Sequence, residues 1–450
     1  MLFTTKSLST FFKQYKGDIN RNTKILEVNT DSRKGIKNSL FIPIVGDNFD
    51  GHQFVKQAIA GGAIALLWDK TKELPEDIEE DIVVYFVEDT TKALQQLASY
   101  YRDEINPIVI GVTGSNGKTT TKDLVASITR AKYVTHSTKG NFNNQIGLPL
   151  TILSMQRDTE VLVLEMGMSG FLEIDLLSKI AKPNYAIITN IGESHIEFLG
   201  SREGIAKAKL EILNGLKENG TVIIDGDEAL LDSLHGEPNV ITCGFNRDNN
   251  QLIEKVNIDL TETTFMLEDV NYRIPLLGKH HAKNAAYAIV IGERLGIGVE
   301  ERKRALLSAD LTAMRFELIQ GKKGVSIIND AYNASPTSMK AAIEVVKQMA
   351  GFKEKVLILG DVLELGTRAE ELHQSVAEVI EAPITVLYTF GEHAKVISET
   401  VCTKGDIVSK HFHTKAALLD ALDMYLNKDS LLLFKASRGL KFESLINEFI

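Results

Sequence analysis

Short apolar runs that alternate with segments of helical spacing are the dominant pattern in this chain. In the N-terminal part, "SLFIPIVG" and "AIALLWD" read as strands, and "DGHQFVKQAIAGGA" contains a helix that ends at Gly61 and Gly62. After "EINPIV" the pattern becomes strand then helix, with strands predicted at "PIVIGVTG", "EVLVLEMG", "NYAIITNIG" and "GTVIIDGD". This alternation indicates βαβ units and a parallel sheet.

The same alternation restarts in the C-terminal third of the chain. "HHAKNAAYAIVIGERLG" predicts a helix that stops at Gly296. Beyond "SADLTAMRFELIQGKKG", strands are predicted at "VSIINDAYN", "KVLILGDV", "ITVLYTFG" and "SLLLFKASRG". We therefore predict an α/β protein of three domains: a small α/β domain at 1–104, a central domain with a mostly parallel sheet at 105–311, and a second nucleotide-domain-like unit at 312–450.

Composition narrows the classes of function. The net charge of −10 argues against a strongly basic surface for nucleic acid. Cys243 and Cys402 lie far apart and form no CxxC pair, which suits a reducing compartment. No window approaches the roughly 18 consecutive apolar residues of a membrane span, and the N-terminal apolar run is too short for a signal peptide. We expect a soluble, cytoplasmic monomer without membrane insertion.

The junction of strand and helix at "GVTGSNGKTTT" is the clearest candidate for chemistry. Glycines let the backbone approach phosphate oxygens, and a helix N-terminus favours negative charge. Lys118 can reach the β- and γ-phosphates, and the Thr119 hydroxyl can ligate Mg²⁺. The spacing is G-x-x-G-x-x-G-K-T, and the alternative is a glycine-rich turn with an incidental lysine. We predict a nucleoside triphosphate site formed by Gly114, Ser115, Asn116, Gly117, Lys118, Thr119 and Thr120.

Two further polar residues follow predicted strands downstream. Glu165 ends the apolar strand of "LVLEMG", at the sheet edge where open α/β folds bind ligands, so it is a natural Mg²⁺ ligand. His195 comes just after the strand of "ITNIGESHIEF", and the same edge favours a metal role. A helix-capping Glu and a purely structural His are the alternatives. "KGNFNNQIGLPLT" is a polar loop that is either functional or a plain turn.

The order of these motifs resembles the Mur ligase family. The resemblance extends over nearly the full length and rests on "GVTGSNGKTTT", "GNFNNQIGLPLT", "LEMG", "TNIGESHIEFLGS", "AKAKLEI", "LGKHHAKNAA", "INDAYNASPTSM" and "LGDVLELG". It implies an N-terminal domain that binds a UDP-sugar, a central P-loop ATPase domain and a C-terminal Rossmann-like domain. The UDP-substrate signature of the family is matched at Asp31, Ser32, Arg33, Asp50 and His52.

The resemblance also implies a reaction. It is the joining of a carboxylate to an amine through an acyl phosphate, with ATP hydrolysed to ADP and phosphate. "DAYNASP" followed by "SMKAAIEVV" is similar to the family member that adds D-alanyl-D-alanine to a UDP-N-acetylmuramoyl tripeptide. The DYAHTP-like and DNPR segments of the ligase that adds the third amino acid do not occur, nor does the DGAHNP-like segment of folylpolyglutamate synthetases. A Mur-type ligase with another peptide or amine substrate is the alternative.

Residue roles are carried over at the matching positions. The resemblance implies ATP and two Mg²⁺ ions as cofactors, and Lys209 matches the family lysine that is carbamylated, with Lys207 as the nearby alternative. The implied catalytic residues are Lys118, Glu165, His195 and Lys209, and the implied metal ligands are Thr119, Glu165, His195 and Lys209. Further ATP contacts are implied for Asn284, Arg315 and Asp330. The dipeptide site or the domain junction is assigned to Tyr332, Asn333 and His373.

Two interpretations outside ligase chemistry remain. One is a nucleotide-dependent scaffold that kept the P-loop but lost ligation, and the other is a regulator that binds UDP-sugar without ATP turnover. The joint presence of Glu165, His195 and Lys209 argues against a simple binding protein, which needs no second metal.

Overall fold

The N-terminal part of the chain forms a small sheet with helices against it. The computed structural model describes residues 2–450. The strands of this part are β1 (Phe3–Thr4), β2 (Tyr15–Lys16), β3 (Lys24–Ile25), β4 (Glu27–Asn29), β5 (Ser39–Phe41), β6 (Val45–Gly46), β7 (Phe49–Asp50), β8 (Ala63–Asp69) and β9 (Val83–Val87). Its α-helices are α1 (Thr5–Phe11), α2 (Val55–Ala60) and α3 (Thr90–Ile105). The main sheet has the order β2-β9-β8-β5-β4 and is parallel except at β2.

The central part contains a sheet of nine strands. They are β10 (Ile108–Thr113), β11 (Thr135–Ser137), β12 (Val161–Glu165), β13 (Tyr185–Ile188), β14 (Thr221–Asp225), β15 (Val240–Gly244), β16 (Gln251–Ile258), β17 (Thr263–Leu267) and β18 (Val270–Ile274). The helices are α4 (Lys118–Arg130), α5 (Gly147–Leu153), α6 (Glu173–Ala181), α7 (Ile196–Leu199), α8 (Arg202–Leu210), α9 (Lys279–Arg294) and α10 (Val299–Leu307). The order is β11-β12-β10-β13-β14-β15-β16-β17-β18, in which the β16–β17 and β17–β18 pairings are antiparallel and the others parallel.

The C-terminal part contains a third sheet. Its strands are β19 (Glu317–Gln320), β20 (Ser326–Asn329), β21 (Glu354–Gly360), β22 (Val386–Phe390), β23 (Val408–Phe412) and β24 (Ser430–Lys435). Its helices are α11 (Pro336–Gln348), α12 (Ala369–Val376), α13 (Lys395–Cys402), α14 (Lys415–Leu422) and α15 (Glu443–Ile446). The order is β19-β20-β24-β21-β22-β23, parallel except at β19.

Burial on both faces explains the apolar character of the central strands. Along β10, Ile110 and Val112 join a core with α4 and α9, whereas Val109 joins the core of the opposite face. The same alternation divides Val163 from Leu164 along β12. A parallel sheet covered on both faces requires such continuous apolar runs.

The strand order creates a switch point beside β10. The chain leaves β10, passes to β11 and β12 on one side, and then crosses to β13 on the other side. Ligands of open α/β sheets bind outside the carboxyl ends of the strands at such a point. The loop after β10 is therefore placed where a nucleotide site is expected.

The predicted strands and the predicted α/β class are confirmed, and the structure adds strands that were not predicted. All eight strand segments quoted for the central and C-terminal parts contain strands, and the predicted helix before Gly296 is α9. Strands β11, β15, β16 and β23, the antiparallel extension β17–β18 and the antiparallel β19 were not foreseen. In β16, which carries this extension, buried and exposed positions do not alternate regularly, so the periodicity is weak.

No helix among residues 2–450 is long and apolar enough to cross a membrane.

Candidate active site

A cavity of about 700 Å³ opens between the central and C-terminal sheets. It collects residues from the carboxyl ends of several strands and from the first turns of α4, α9 and α11. The predicted site residues that line it are Ser115, Asn116, Gly117, Lys118, Thr119, Thr120, Glu165, His195, Asn284, Arg315 and Asp330. Tyr332 and Asn333 line it as well. Gly114, Lys209 and the five predicted UDP-substrate residues do not.

The loop between β10 and α4 is shaped as an anion site. Gly117 has a φ of 79° and caps α4 without a side-chain hydrogen bond, so the first amide groups of the helix are left for a ligand. The Lys118 ammonium folds back and donates to the Gly114 carbonyl at 2.8 Å and the Ser115 carbonyl at 3.2 Å. Desolvation lowers the pKa of Lys118, while the Glu165 carboxylate opposes that shift.

Gly114 serves the neighbouring loop more directly than it serves a ligand. It has a φ of 149°, and a Cβ there would lie 1.8 Å from the Thr189 hydroxyl oxygen. That hydroxyl donates to the Asn116 carbonyl at 2.6 Å, and the Asn116 N–H donates to the Asn190 side chain at 2.8 Å. The segment after β13 thus holds the phosphate loop in place.

Glu165 is the most deeply buried acid of the cavity. It is the last residue of β12 and is only 3% exposed. One oxygen, Oε1, accepts a hydrogen bond from the Asn143 amide at 2.7 Å, whereas Oε2 is buried and has no hydrogen-bond partner among residues 2–450. A buried carboxylate oxygen without a partner is costly unless a cation meets it.

His195 reaches the cavity from a strained turn. Its φ is 65°, in the left-handed region, at the residue that precedes α7. The Nδ1 atom lies within ion-pair distance of the Glu364 carboxylate from the C-terminal part, although the two groups lack the alignment of a hydrogen bond. This contact holds the pKa of Glu364 below its usual value. The Glu364 carbonyl also accepts from the Glu197 N–H at 3.2 Å, so two parts of the chain meet at this turn.

The two lysines of α8 have different surroundings. Lys209 is 2% exposed, and its side chain makes no hydrogen bond or ion pair with the residues that the structure describes. Lys207 is exposed, and its ammonium lies 5.9 Å from the centroid of the Phe171 ring. Desolvation, reinforced by the Lys118 charge, lowers the pKa of Lys209 well below its usual value. The neutral amine is therefore favoured at Lys209.

The C-terminal part supplies basic and acidic groups to the same cavity. The Arg315 guanidinium donates to the Thr119 hydroxyl at 3.0 Å and lies over the Tyr332 ring, 4.0 Å from its centroid. Asp330 follows β20 and accepts from the Lys435 ammonium, at the end of the adjacent β24, at 2.5 Å. The Arg315–Thr119 contact thus joins the C-terminal and central parts of the chain at one cavity.

Sequence reasoning missed Lys283 and Asp225, which line the cavity, and Asp227, which contacts Lys283. Lys283 ion-pairs with Asp225 at 2.6 Å and with Asp227 at 2.8 Å, and its ammonium lies 5.2 Å from the centroid of the Phe245 ring. Burial raises the pKa of Asp225. The available signal was the position of Asp225 at the carboxyl end of β14, the same edge that singled out Glu165.

Asn284 lies against the phosphate loop. A Cβ on Gly117 would be 2.7 Å from the Asn284 amide oxygen, so a side chain there would displace the amide. The amide also contacts His281 Nδ1 at 3.3 Å. Desolvation lowers the pKa of the neighbouring His280 to about 4, which leaves that imidazole neutral at pH 7.

His373, by contrast, is buried in the C-terminal part, where its Nε2 accepts from the Val362 N–H at 2.9 Å.

The predicted UDP-substrate residues lie outside the cavity, in two sets of contacts in the N-terminal part that are together called the N-terminal cluster. Arg33 donates two hydrogen bonds to Asp31, at 2.8 and 2.9 Å, and this pairing lowers the pKa of Asp31 to about 2. Burial of Asp50 is outweighed by hydrogen bonds from Lys72 and His52, so its pKa also falls to about 2. The Ser32 hydroxyl donates to the Gln57 side chain at 2.9 Å.

No group of three or more His, Cys, Asp or Glu side chains that could hold a metal occurs among residues 2–450. Mg²⁺ is commonly held by only one or two carboxylates together with the phosphates of its substrate. Thr119 and the buried Oε2 of Glu165 lie in the same cavity as the phosphate loop. The Thr119 hydroxyl already accepts from a cation, the Arg315 guanidinium. These donors fit a magnesium ion that enters with a nucleotide.

The fold and the cavity define a class: a three-part α/β chain with a P-loop nucleotide site between its second and third sheets. Three family models match it, namely the Mur ligase family catalytic domain over 24–102, the Mur ligase middle domain over 112–292 and the Mur ligase glutamate ligase domain over 314–438. The UDP-N-acetylmuramoyl-tripeptide–D-alanyl-D-alanine ligase of Bacillus subtilis is 48% identical over 433 residues, covering 95% of this chain and 94% of that protein. The chain belongs to the Mur ligase family.

Solved structures agree with this assignment. A crystal structure of MurF from Acinetobacter baumannii superposes with a TM-score of 0.88 at 30% identity and covers 99% of this chain and 98% of that one. The MurF ligase from Thermotoga maritima, in complex with ADP, superposes with a TM-score of 0.81 at 28% identity, covering 94% and 96% of the two chains.

Proposed function

We propose that this protein is an ATP-dependent ligase that joins D-alanyl-D-alanine to a UDP-N-acetylmuramoyl tripeptide. The observation that carries the proposal is one cavity that holds a phosphate loop, a buried carboxylate with one unpartnered oxygen, and an arginine from another part of the chain. Relatives of nearly full length that are named for this activity support the choice of substrates. A ligase with a different amine or peptide substrate is the second candidate.

The proposed chemistry needs no protein nucleophile. The tripeptide carboxylate attacks the γ-phosphorus of ATP, so that an acyl phosphate forms and ADP leaves. The dipeptide amine then attacks the carbonyl carbon, the amine loses a proton, and phosphate leaves as the amide forms. The protein contributes positioning and neutralisation of crowded negative charge.

The residues of the cavity have distinct parts in this scheme. Lys118 exchanges its two carbonyl partners for phosphate oxygens, and the open amides at the start of α4 bind the same phosphates. Arg315 moves from the Thr119 hydroxyl to a phosphate oxygen. Asp330 binds ribose hydroxyls, and the Asn284 amide contacts the adenine. Thr119 and Glu165 would hold a first Mg²⁺ and His195 a second, and the two ions would stabilise charge on the γ-phosphate.

Lys209 is proposed to act as a carbamate. Its burial favours the neutral amine, which can attack CO₂ to form an N–C bond and release a proton. The product is an anionic carboxylate-like group in place of an ammonium. The exposed Lys207 lacks the environment that favours this change.

The N-terminal cluster completes the proposal. Asp31, Ser32, Arg33, Asp50 and His52 are proposed to bind the UDP part of the acceptor, in a domain that spans 1–104. The ATP-binding and C-terminal domains then span 105–311 and 312–450. The protein is proposed to work in the cytoplasm, where ATP and UDP-linked precursors are found.

The direct test is an assay of phosphate release with defined acceptors and amines. The enzyme is given ATP, Mg²⁺, UDP-muramoyl peptides of increasing length and either D-alanyl-D-alanine or single amino acids, and products are weighed by mass spectrometry. The proposal predicts release and a new amide only for tripeptide plus D-alanyl-D-alanine. Turnover with a single amino acid and a shorter acceptor would instead support the second candidate.

A further inference from the structure

The polar loop at 139–147 is held by close contacts among its own residues. A Cβ on Gly147 would lie 2.4 Å from the Phe142 Cα, so the two backbones approach as closely as a glycine permits. The Asn144 side-chain oxygen accepts from the Gly147 N–H at 2.8 Å. The loop is therefore held against the start of α5.

Asn143 joins this loop to the end of β12 at two points. Its carbonyl accepts from the Gly167 N–H at 2.9 Å, and its side-chain amide donates to Glu165 Oε1 at 2.7 Å. A Cβ on Gly167 would lie 3.0 Å from the amide atoms, so the amide packs against the glycine backbone. The hydrogen bond accepted by a carboxylate is of the stronger, charge-assisted kind.

This arrangement gives the two carboxylate oxygens of Glu165 different surroundings. Oε1 is occupied by Asn143, whereas Oε2 is buried without a partner in a residue that lines the cavity. The backbone is fixed as well, because the Glu165 N–H donates to the Thr138 hydroxyl at 3.0 Å. A carboxylate held in this way presents one defined oxygen to a cation.

We infer that Asn143 is a positioning residue that orients Glu165 so that Oε2 meets the divalent cation of the nucleotide. The inference rests on the proposed function, since it presupposes a cation in this cavity. It gives the polar loop "KGNFNNQIGLPLT" a role that the ligase scheme above does not assign. A direct contact between Asn143 and the acceptor substrate is the competing role, because Asn143 also lines the cavity.

The test compares variants that remove the donor with a control from the same loop. Asn143→Ala and Asn143→Leu both lose the amide but keep the backbone carbonyl that binds Gly167. Asn143→Gln keeps a donor on a longer arm. Asn141→Ala is the matched control, because Asn141 is exposed and its side chain makes no hydrogen bond with the described residues. Circular dichroism establishes which variants are folded, and the two donor-less variants provide independent readings.

The primary measurement is the affinity for Mn²⁺ in the presence of ADP, determined by electron paramagnetic resonance. Loss of a residue that orients a metal ligand weakens metal binding by about 10–100-fold. We expect that loss for Asn143→Ala and Asn143→Leu, an intermediate value for Asn143→Gln, and no change for Asn141→Ala. In turnover, the Mg²⁺ concentration for half-maximal rate should rise, and kcat should recover at saturating Mg²⁺.

Unchanged Mn²⁺ affinity in both donor-less variants would overturn the inference. A raised KM for the tripeptide with unchanged Mn²⁺ affinity would overturn it too, because it would make Asn143 a substrate contact. The Mn²⁺ titration requires only ADP and no ligation. The positioning role is therefore tested even if the amine substrate proves to be different, and failure of one proposal can be told from failure of the other.

Discussion

The central cavity and the N-terminal cluster differ in whether their charged side chains have partners. In the cavity, Lys118 is satisfied only by backbone carbonyls and one oxygen of Glu165 has no partner. In the N-terminal cluster, the Asp31 carboxylate accepts hydrogen bonds from Nε and Nη2 of Arg33, whose side chain is 81% exposed. Asp50 accepts from three donors. Groups with unmet partners are typical of sites where a ligand supplies them. The unmet partners favour the cavity, and not the cluster, as the place of the proposed chemistry.

The largest effect is expected at the phosphate loop. Lys118→Ala removes the cation that faces the phosphates, and kcat should fall by at least about 10³-fold. Binding of the UDP-muramoyl tripeptide, measured by calorimetry, should be retained because its proposed contacts lie in the N-terminal part. Ligation at the normal rate in this variant would contradict the division of labour.

Lys209 should rank next. Lys209→Ala is expected to lose about 10–100-fold or more in rate, judged from the smaller effects of residues that only orient metal ligands. Added formate or acetate should restore part of the rate, removal of CO₂ should reduce the wild-type rate, and Lys209→Arg should not substitute because guanidinium stays charged.

The matched control for that experiment is Lys207→Ala, two residues away on the same helix but exposed. Its rate should stay close to that of the wild type. If Lys207 proved essential and Lys209 dispensable, the assignment of the modified lysine would be wrong.

Stability separates the two regions in a third way. Asp330→Ala leaves Lys435, which is 2% exposed, without its carboxylate, and a broken buried pair costs about 3–5 kcal/mol. Hydrogen exchange of β20 and β24 should accelerate accordingly.

Asp31→Ala breaks an ion pair that faces solvent. The urea midpoint of unfolding, followed by the fluorescence of Trp68, the single tryptophan, should therefore barely move. If the two variants lost the same free energy of unfolding, burial would not distinguish these two ion pairs.

The smallest effect is expected at Arg33. Arg33→Ala removes an exposed guanidinium from the N-terminal cluster, so the KM for the UDP-linked acceptor should rise a few-fold to about tenfold while kcat is unchanged. Steady-state kinetics with the acceptor varied at saturating ATP measures both values. A fall in kcat with an unchanged KM would place this residue with the chemistry instead.

Local patterns predicted the strands and the phosphate loop, because periodicity and glycine spacing are properties of neighbouring residues. The partners inside the cavity were beyond such patterns. Asn143 and Glu165 are 22 positions apart, and Arg315 and Thr119 are 196 apart, so their meeting depends on strand order and on how the sheets pack. The insertion of β24 beside β20, which pairs Lys435 with Asp330, is likewise invisible to periodicity.

The central claim is that this cavity transfers a phosphoryl group to the acceptor carboxylate. The most direct measurement uses UDP-muramoyl tripeptide labelled with ¹⁸O in its terminal carboxylate, together with ATP and D-alanyl-D-alanine, and follows the released phosphate by ³¹P NMR. Formation of an acyl phosphate predicts that each phosphate carries one oxygen from the labelled carboxylate. Release of unlabelled phosphate alongside amide formation would contradict the account.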